Sequence, residues 1–171
     1  MTVITNKPAS EEKNIVDIRN AIEHRATWMS LLMNEARNSG LGWDDFARKA
    51  IFRCGCFHGK DIAAKCTDIS DLRKFAEVFP GTTGKKIFEM EVMELSDQKF
   101  SLEFHYCPLV SAWIKQGFSD EDIAKLCDIA MDGDRGIASN FPAFQFELGK
   151  TIAQGDPVCE INFIKKNATS G

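Results

Sequence analysis

The chain has 171 residues, 44% hydrophobic and 27% charged, with a formal net charge of −4; one domain of this length buries roughly 70% of its unfolded surface and needs neither disulfide nor metal to fold. This composition excludes a disordered chain, and an acidic balance without a run of Lys and Arg argues against a nucleic-acid partner. No stretch approaches the ~20 apolar residues of a membrane span and the first residues lack a signal-peptide core, so the expectation is a cytoplasmic protein with no membrane partner and with its six cysteines reduced.

Residues 1–9 predict a flexible lead-in, residues 10–164 a single α+β domain and residues 165–171 a polar tail. Ser10 followed by Glu11 and Glu12 marks a helix start. Ile15, Ile18, Ile22, Met29, Leu32, Met33 and Ala36 then recur at helical spacing as far as Ser39-Gly40. A second helix is expected from about Trp43 to Arg53. It meets Cys54-Gly55-Cys56-Phe57-His58-Gly59, where three metal-ligating side chains lack the Cys-x2-4-Cys spacing of zinc sites. The reading is a bend permitted by glycine, with small cysteines packed under a helix end. Segments 60–67 and 71–79 read as helices, the latter capped by Ser70 or Asp71 and stopped by Pro80-Gly81.

From Lys85 the period becomes two. Phe88, Met90 and Val92 alternate with Glu89 and Glu91, Ser96-Asp97 makes a turn, and Phe100, Leu102, Phe104 and Tyr106 alternate with Ser101, Glu103 and His105. The spacing predicts an antiparallel hairpin with its glutamates on a solvated face. A short helix after Cys107-Pro108 ends at Gly117, and Ser119 caps another whose inner face carries Ile123, Leu126, Cys127 and Ala130. Beyond Gly133-Asp134-Arg135-Gly136, Phe144, Phe146 and Leu148 predict one strand and Cys159, Ile161 and Phe163 another, with a turn at Gln154-Gly155-Asp156-Pro157. Two hairpins and segregated helices make the class α+β: an antiparallel sheet of about four strands covered on its aromatic face by the helical half and two central helices.

Pro favours the first helical position, so Cys107 falls at the N-cap, where unpaired N–H groups and the helix dipole would favour a thiolate below the ordinary thiol value. Three readings of this cysteine stand. It is a plain cap or core residue; or a nucleophile, with His105 two residues back on the same strand face as its base; or one ligand, with Cys127, Cys159 and His105, of a tetrahedral zinc site. Asp134-Arg135 between two glycines is either a functional loop at a helix end or a helix stop with a local ion pair. The sequence contains no dinucleotide-binding glycine motif, P-loop, nucleophile elbow or His-Glu-x-x-His pattern.

His105-Tyr106-Cys107-Pro108-Leu109-Val110 with Trp113, Leu126-Cys127, Gly133-Asp134-Arg135-Gly136 and Gly155-Asp156-Pro157-Val158-Cys159 resemble, as a spaced set, the L-2-amino-thiazoline-4-carboxylic acid hydrolase family. The resemblance covers the C-terminal half and, in layout only, the helical half; Cys54 and Cys56 lie outside it. It implies ring opening of L-2-amino-thiazoline-4-carboxylate to N-carbamoyl-L-cysteine by cysteine-assisted addition of water. Cys107, His105 and Asp134 would be catalytic, Arg135 would take the substrate carboxylate, and Cys127, Cys159 and Trp113 would line the pocket. Such a hydrolase requires no cofactor; its partner is a small-molecule substrate, with homo-oligomers left open. The competing class is a non-catalytic small-molecule-binding or sensor domain in which a Cys/His set holds a metal, zinc fitting best.

Overall fold

The computed structural model describes residues 2–166. Its helical half comprises α1 (Lys13–Asn38), α2 (Trp43–Lys65), α3 (Leu72–Val78) and α4 (Gly81–Phe88). The hairpin of β1 (Met90–Leu95) and β2 (Lys99–Phe104) precedes α5 (Pro108–Lys115), α6 (Asp120–Ala130) and α7 (Asp132–Ala138). Then come β3 (Phe144–Leu148), a 3-10 turn (Ile152–Gln154) and β4 (Cys159–Lys165). The strands form one antiparallel sheet in the order β1-β2-β4-β3, so the architecture is α+β as the periodicities predict. From residue 167 on, the predicted polar tail lies outside the described residues.

Period-two patterning commits one sheet face to the core. Phe100 pairs with Phe163, Leu102 with Ile161 and Phe104 with Cys159, and all six are buried. Phe75 of α3, fully buried, closes this layer edge-on to Phe141 and Phe163, with ring centroids 4.7 Å away in both cases. Phe88, Met90 and Phe146 are half-buried against the same cluster. The opposite face is polar, with Ser101 donating to Asn162 Oδ1 across the β2–β4 pair at 2.7 Å. β1 forms an edge whose register breaks between Val92 and Glu94, a bulge that leaves most of the strand exposed.

Several predicted elements differ. Lys85–Phe88 belongs to α4 rather than to a strand, and β1 begins only after Glu89, which turns the chain with φ 51°. Such left-handed backbone is costly for a residue with a Cβ, and here the side chain is held by three donors. Glu89 Oε1 accepts from the N–H groups of Ala9 and Ser10 and from Arg19 Nη2, at 2.8–2.9 Å. The lead-in is not free either. Ile4 is buried, and Thr2 Oγ1 and Val3 N–H donate to Asp120 at the start of α6. On α1 the buried positions are Ile15, Arg19, Ala26, Ser30 and Met33, while Leu32 of the predicted stripe stays 65% exposed.

The glycines at 55 and 59 do not bend the chain; α2 runs through them. They allow a helix crossing. A Cβ on Gly55 would stand 2.0 Å from Gly133 O, one on Gly59 2.8 Å from Ile137 O, and one on Gly136 2.2 Å from Phe52 O. The backbones of α2 and α7 therefore touch, which only glycine allows on both sides. Helical steps of two turn side chains by about 200°, so Cys56 points away from Cys54 and His58, and its Sγ lies 3.5 Å from Ser139 Oγ at the end of α7.

This crossing yields the first prediction. Gly136→Ala should destabilise the protein by at least about 2 kcal/mol, read from urea unfolding midpoints, because neither backbone can withdraw. Gly133→Ala is the control. Its Cβ would meet only Ile51 Cγ2, at 3.8 Å, so stability should hold or rise by up to about 1 kcal/mol through helix propensity.

Candidate functional site

Cys107 occupies the N-cap of α5 with extended backbone, φ −132° and ψ 111°, and Pro108 takes the first helical position as the sequence predicts. The helix it starts leans on α1, where the fully buried Trp113 donates from Nε1 to Ala26 O at 3.2 Å. Trp113 is thus a core tie and does not face a substrate. Cys127, on the inner face of α6, is buried. Cys159 begins β4, where its Sγ accepts the N–H of Ile152 at 3.3 Å. All six cysteines are free thiols.

The fold brings Cys127 within electrostatic reach of Cys107, Cys159 and Asp134, and Cys107 within reach of Cys159 and Asp134. Burial pushes the Cys107 thiol up to about 11; the N–H groups of Val110 and Leu109 pull it down and Asp134 adds to the rise. Cys159 is pushed to about 12, by burial first and then by Cys107. Burial also drives Cys127 well above the ordinary thiol value, with negative charge on Cys107, Cys159, Asp128 and Asp134 adding to it. Asp134 rises to about 6 through burial, against its own backbone N–H and Arg135. Cys107 and Asp134 nonetheless keep some exposed surface, so the cluster is not sealed.

The expectation of a lowered Cys107 value is therefore overturned. Desolvation of the sulfur outweighs the helix N–H groups, and Asp134, when ionised, carries the same sign of charge as a thiolate. His105 does not join the cluster. β2 stops at Phe104 and the chain bends at His105, so strand alternation no longer carries over to Cys107. The ring is exposed, 3.5 Å from Glu91 and 4.0 Å from Glu103 on the sheet's polar face, opposite the Phe104–Cys159 pair. Among the described residues no group of three or more His, Cys, Asp and Glu has the geometry to hold a metal ion, so the Cys/His zinc set is not formed there.

Gly133 to Gly136 is helical, not a loop, and belongs to α7. Arg135 spends its guanidinium on Asp132 at 2.6 Å, on Asp128 at 2.7 Å and on the Asp128 carbonyl at 2.9 Å, which leaves it poorly placed to take a substrate carboxylate. Arg48 of α2 reaches the same two aspartates, at 2.6 and 3.2 Å. This network ties α2, α6 and α7 together beside Asp134. Asn6 is the residue sequence reasoning missed: its Oδ1 accepts the Cys107 N–H at 2.9 Å and its Nδ2 donates to the Cys107 carbonyl at 2.8 Å.

Compared with known proteins, the chain matches a family model described as L-2-amino-thiazoline-4-carboxylic acid hydrolase over residues 19–163. No curated protein matches. Among solved structures it is similar to a trafficking protein particle complex subunit 3 from Naegleria fowleri covalently bound to palmitic acid. The TM-score is 0.55 and the identity 18%, over 85% of this chain and 95% of that one. At that identity the likeness is one of fold. No helix among the described residues is long and apolar enough to cross a membrane.

Asp134 supplies a stability test. Its native value of about 6 lies above the ordinary 3.8, so the native state binds its proton more tightly than the unfolded chain does. No penalty exists below about 3.8; the penalty grows as pH rises towards 6 and is complete above it. Asp134→Asn should therefore be more stable than the wild type at pH 7, by up to about 3 kcal/mol, with the gap closing as pH falls towards 4. Urea unfolding at both pH values measures it.

Proposed function

The chain belongs to the L-2-amino-thiazoline-4-carboxylic acid hydrolase family, and from that premise we propose that it opens the ring of L-2-amino-thiazoline-4-carboxylate, or of a close cyclic amidine, with Cys107 as nucleophile and Asp134 as its proton carrier. The observation that carries this reading is the electrostatic proximity of a half-buried N-cap cysteine to a carboxylate whose value is raised to about 6. A carboxylate titrating there is ionised at neutral pH and still basic enough to accept a proton.

The steps balance with water as the other reactant. Cys107 Sγ bonds to the ring carbon between nitrogen and sulfur while its proton passes to Asp134, since a thiol near 11 does not ionise ahead of attack at neutral pH. The bond from that carbon to the ring sulfur then breaks, and the departing sulfur takes the proton from Asp134. This leaves an isothiourea on Cys107 and a free thiol on the substrate. Water, losing its proton to Asp134, adds to the same carbon, and Cys107 leaves as a thiol to give the N-carbamoyl product. N–H groups at the start of α5 are suited to meet negative charge developing at the carbon's substituents. Cys127 and Cys159, buried and protonated, give the reacting carbon an apolar wall.

A second reading, a non-catalytic small-molecule-binding domain, draws on the same raised thiols, because desolvated cysteines are usually inert. The fold relative covalently bound to palmitic acid supports it in kind.

Turnover of the thiazoline carboxylate separates the two. The wild type should release N-carbamoyl-L-cysteine, with Cys107→Ser and Asp134→Asn each slower by at least about 100-fold. The wild-type rate should rise with pH through about 6 as Asp134 ionises, and Asp134→Asn should lack that limb. Undiminished turnover by Cys107→Ser rejects the nucleophile; binding without turnover by the wild type selects the second reading.

A further inference from the structure

Residues 2–10 form a strap fastened at three points. Asp120 at the start of α6 holds Thr2 and Val3, and Glu89 holds the N–H groups of Ala9 and Ser10. Between these ends Asn6 grips Cys107. Its Oδ1 accepts the Cys107 N–H at 2.9 Å, and its Nδ2 donates to the Cys107 carbonyl and to Ser111 Oγ, both at 2.8 Å. Ser111 Oγ in turn lies 3.0 Å from Tyr106 Oη, and the Arg19 guanidinium stands 4.4 Å above the Tyr106 ring.

An N-cap residue lies outside the helical ladder, so nothing in α5 takes its N–H or fixes its φ. Pro108 bars the helical region to the residue before it but leaves a broad extended range open. A side chain that bonds both the N–H and the C=O of one residue requires a single extended φ and ψ there, as a neighbouring strand would. That dihedral pair sets the direction of Cα–Cβ and hence where the sulfur lies relative to Asp134, Cys127 and Cys159.

We propose that Asn6 is a positioning residue for Cys107, locking the backbone of the N-cap cysteine so that its sulfur stays in the cluster. The consequence for turnover rests on the ring-opening reading; the consequence for the sulfur's pose does not.

The test uses the full chain with Asn6→Ala, Asn6→Asp and Thr2→Ala. Three quantities are measured: the rate of iodoacetamide alkylation at Cys107, located by peptide mass spectrometry; amide hydrogen exchange at Cys107; and kcat and KM for ring opening. Asn6→Ala should alkylate at least about fivefold faster, the scale of one lost hydrogen bond, and should lose protection of the Cys107 amide. Its kcat should fall by at least as much while KM holds. Asn6→Asp keeps the acceptor for the Cys107 N–H but loses the donor to the Cys107 carbonyl, so it should retain the amide protection and fall between the wild type and Asn6→Ala in alkylation. Thr2→Ala, which loosens only the strap's end, should stay within about twofold in alkylation. Asn6→Ala indistinguishable from the wild type in alkylation and exchange, or matched by Asn6→Asp or Thr2→Ala, overturns the proposal. Should Asn6→Ala not fold, a Cys107 amide unprotected in the wild type overturns it. An inactive wild type rejects the ring-opening reading alone, leaving alkylation and exchange to decide on Asn6.

Discussion

A buried arginine organises the ground on which the cysteine cluster stands. Arg19 is 3% exposed, and a cation there is tolerable only if its donors are met. They are met by the carbonyls of Ile87, Ser10 and Lys86 and by the carboxylate of Glu89. Each acceptor belongs to a segment that would otherwise be free to choose its path: the strap, the end of α4 and the left-handed turn into β1. Because the guanidinium also covers Tyr106, the chain leading into Cys107 is set by a charge on α1. Losing either partner of the Arg19–Glu89 pair would strand the other in low dielectric, which makes the interaction more a constraint on geometry than a source of stability.

The site works within a second constraint, that of desolvation. Desolvated thiols and a desolvated carboxyl all resist ionisation, and negative charge on one thiol makes ionisation of its neighbours harder. One negative charge is what such a cluster accommodates, and Asp134 ionises first. A carboxylate within electrostatic reach of a protonated sulfur is the arrangement that follows, and it suits the coupled proton transfer of the proposed ring opening. It differs from the standing thiolate that an N-cap position suggests by itself, and the difference comes from packing that no local motif encodes.

Local chemistry was legible in the sequence where a single periodicity held. The alternation in 100–104, 144–148 and 159–163 fixes which side chains enter the core, and Ser119 and Pro108 start their helices as read. Reading failed where two periods overlap or where a residue answers to something distant. Phe88 closes α4 half-buried, but it also stands two residues before Met90 and so fits a strand's alternation, while β1 begins only after Glu89. Gly55 and Gly59 carry the same letters as a bend, and only the approach of α7 shows them to be a contact surface. His105 shares a face with Cys107 only if the strand is carried three residues past Phe104. Asn6 lies 101 residues from Cys107, and an asparagine in a polar leader gives no local sign of what it will bind. Cys107, Cys127, Cys159 and Asp134 could be named in advance, but their mutual electrostatics could not.

The bulge in β1 also bears on how copies of this chain behave when crowded. An edge strand with free N–H and C=O groups invites another strand to add, the more so when apolar side chains flank it, and Val92, Met93 and Leu95 are 40%, 52% and 40% exposed. The break in register between Val92 and Glu94 interrupts the regular row of groups that an incoming strand would need, while Glu91 and Glu94 place negative charge along the same edge. Sheet-to-sheet growth is thereby discouraged along β1, and the sheet stays four strands wide on that side despite its greasy margin.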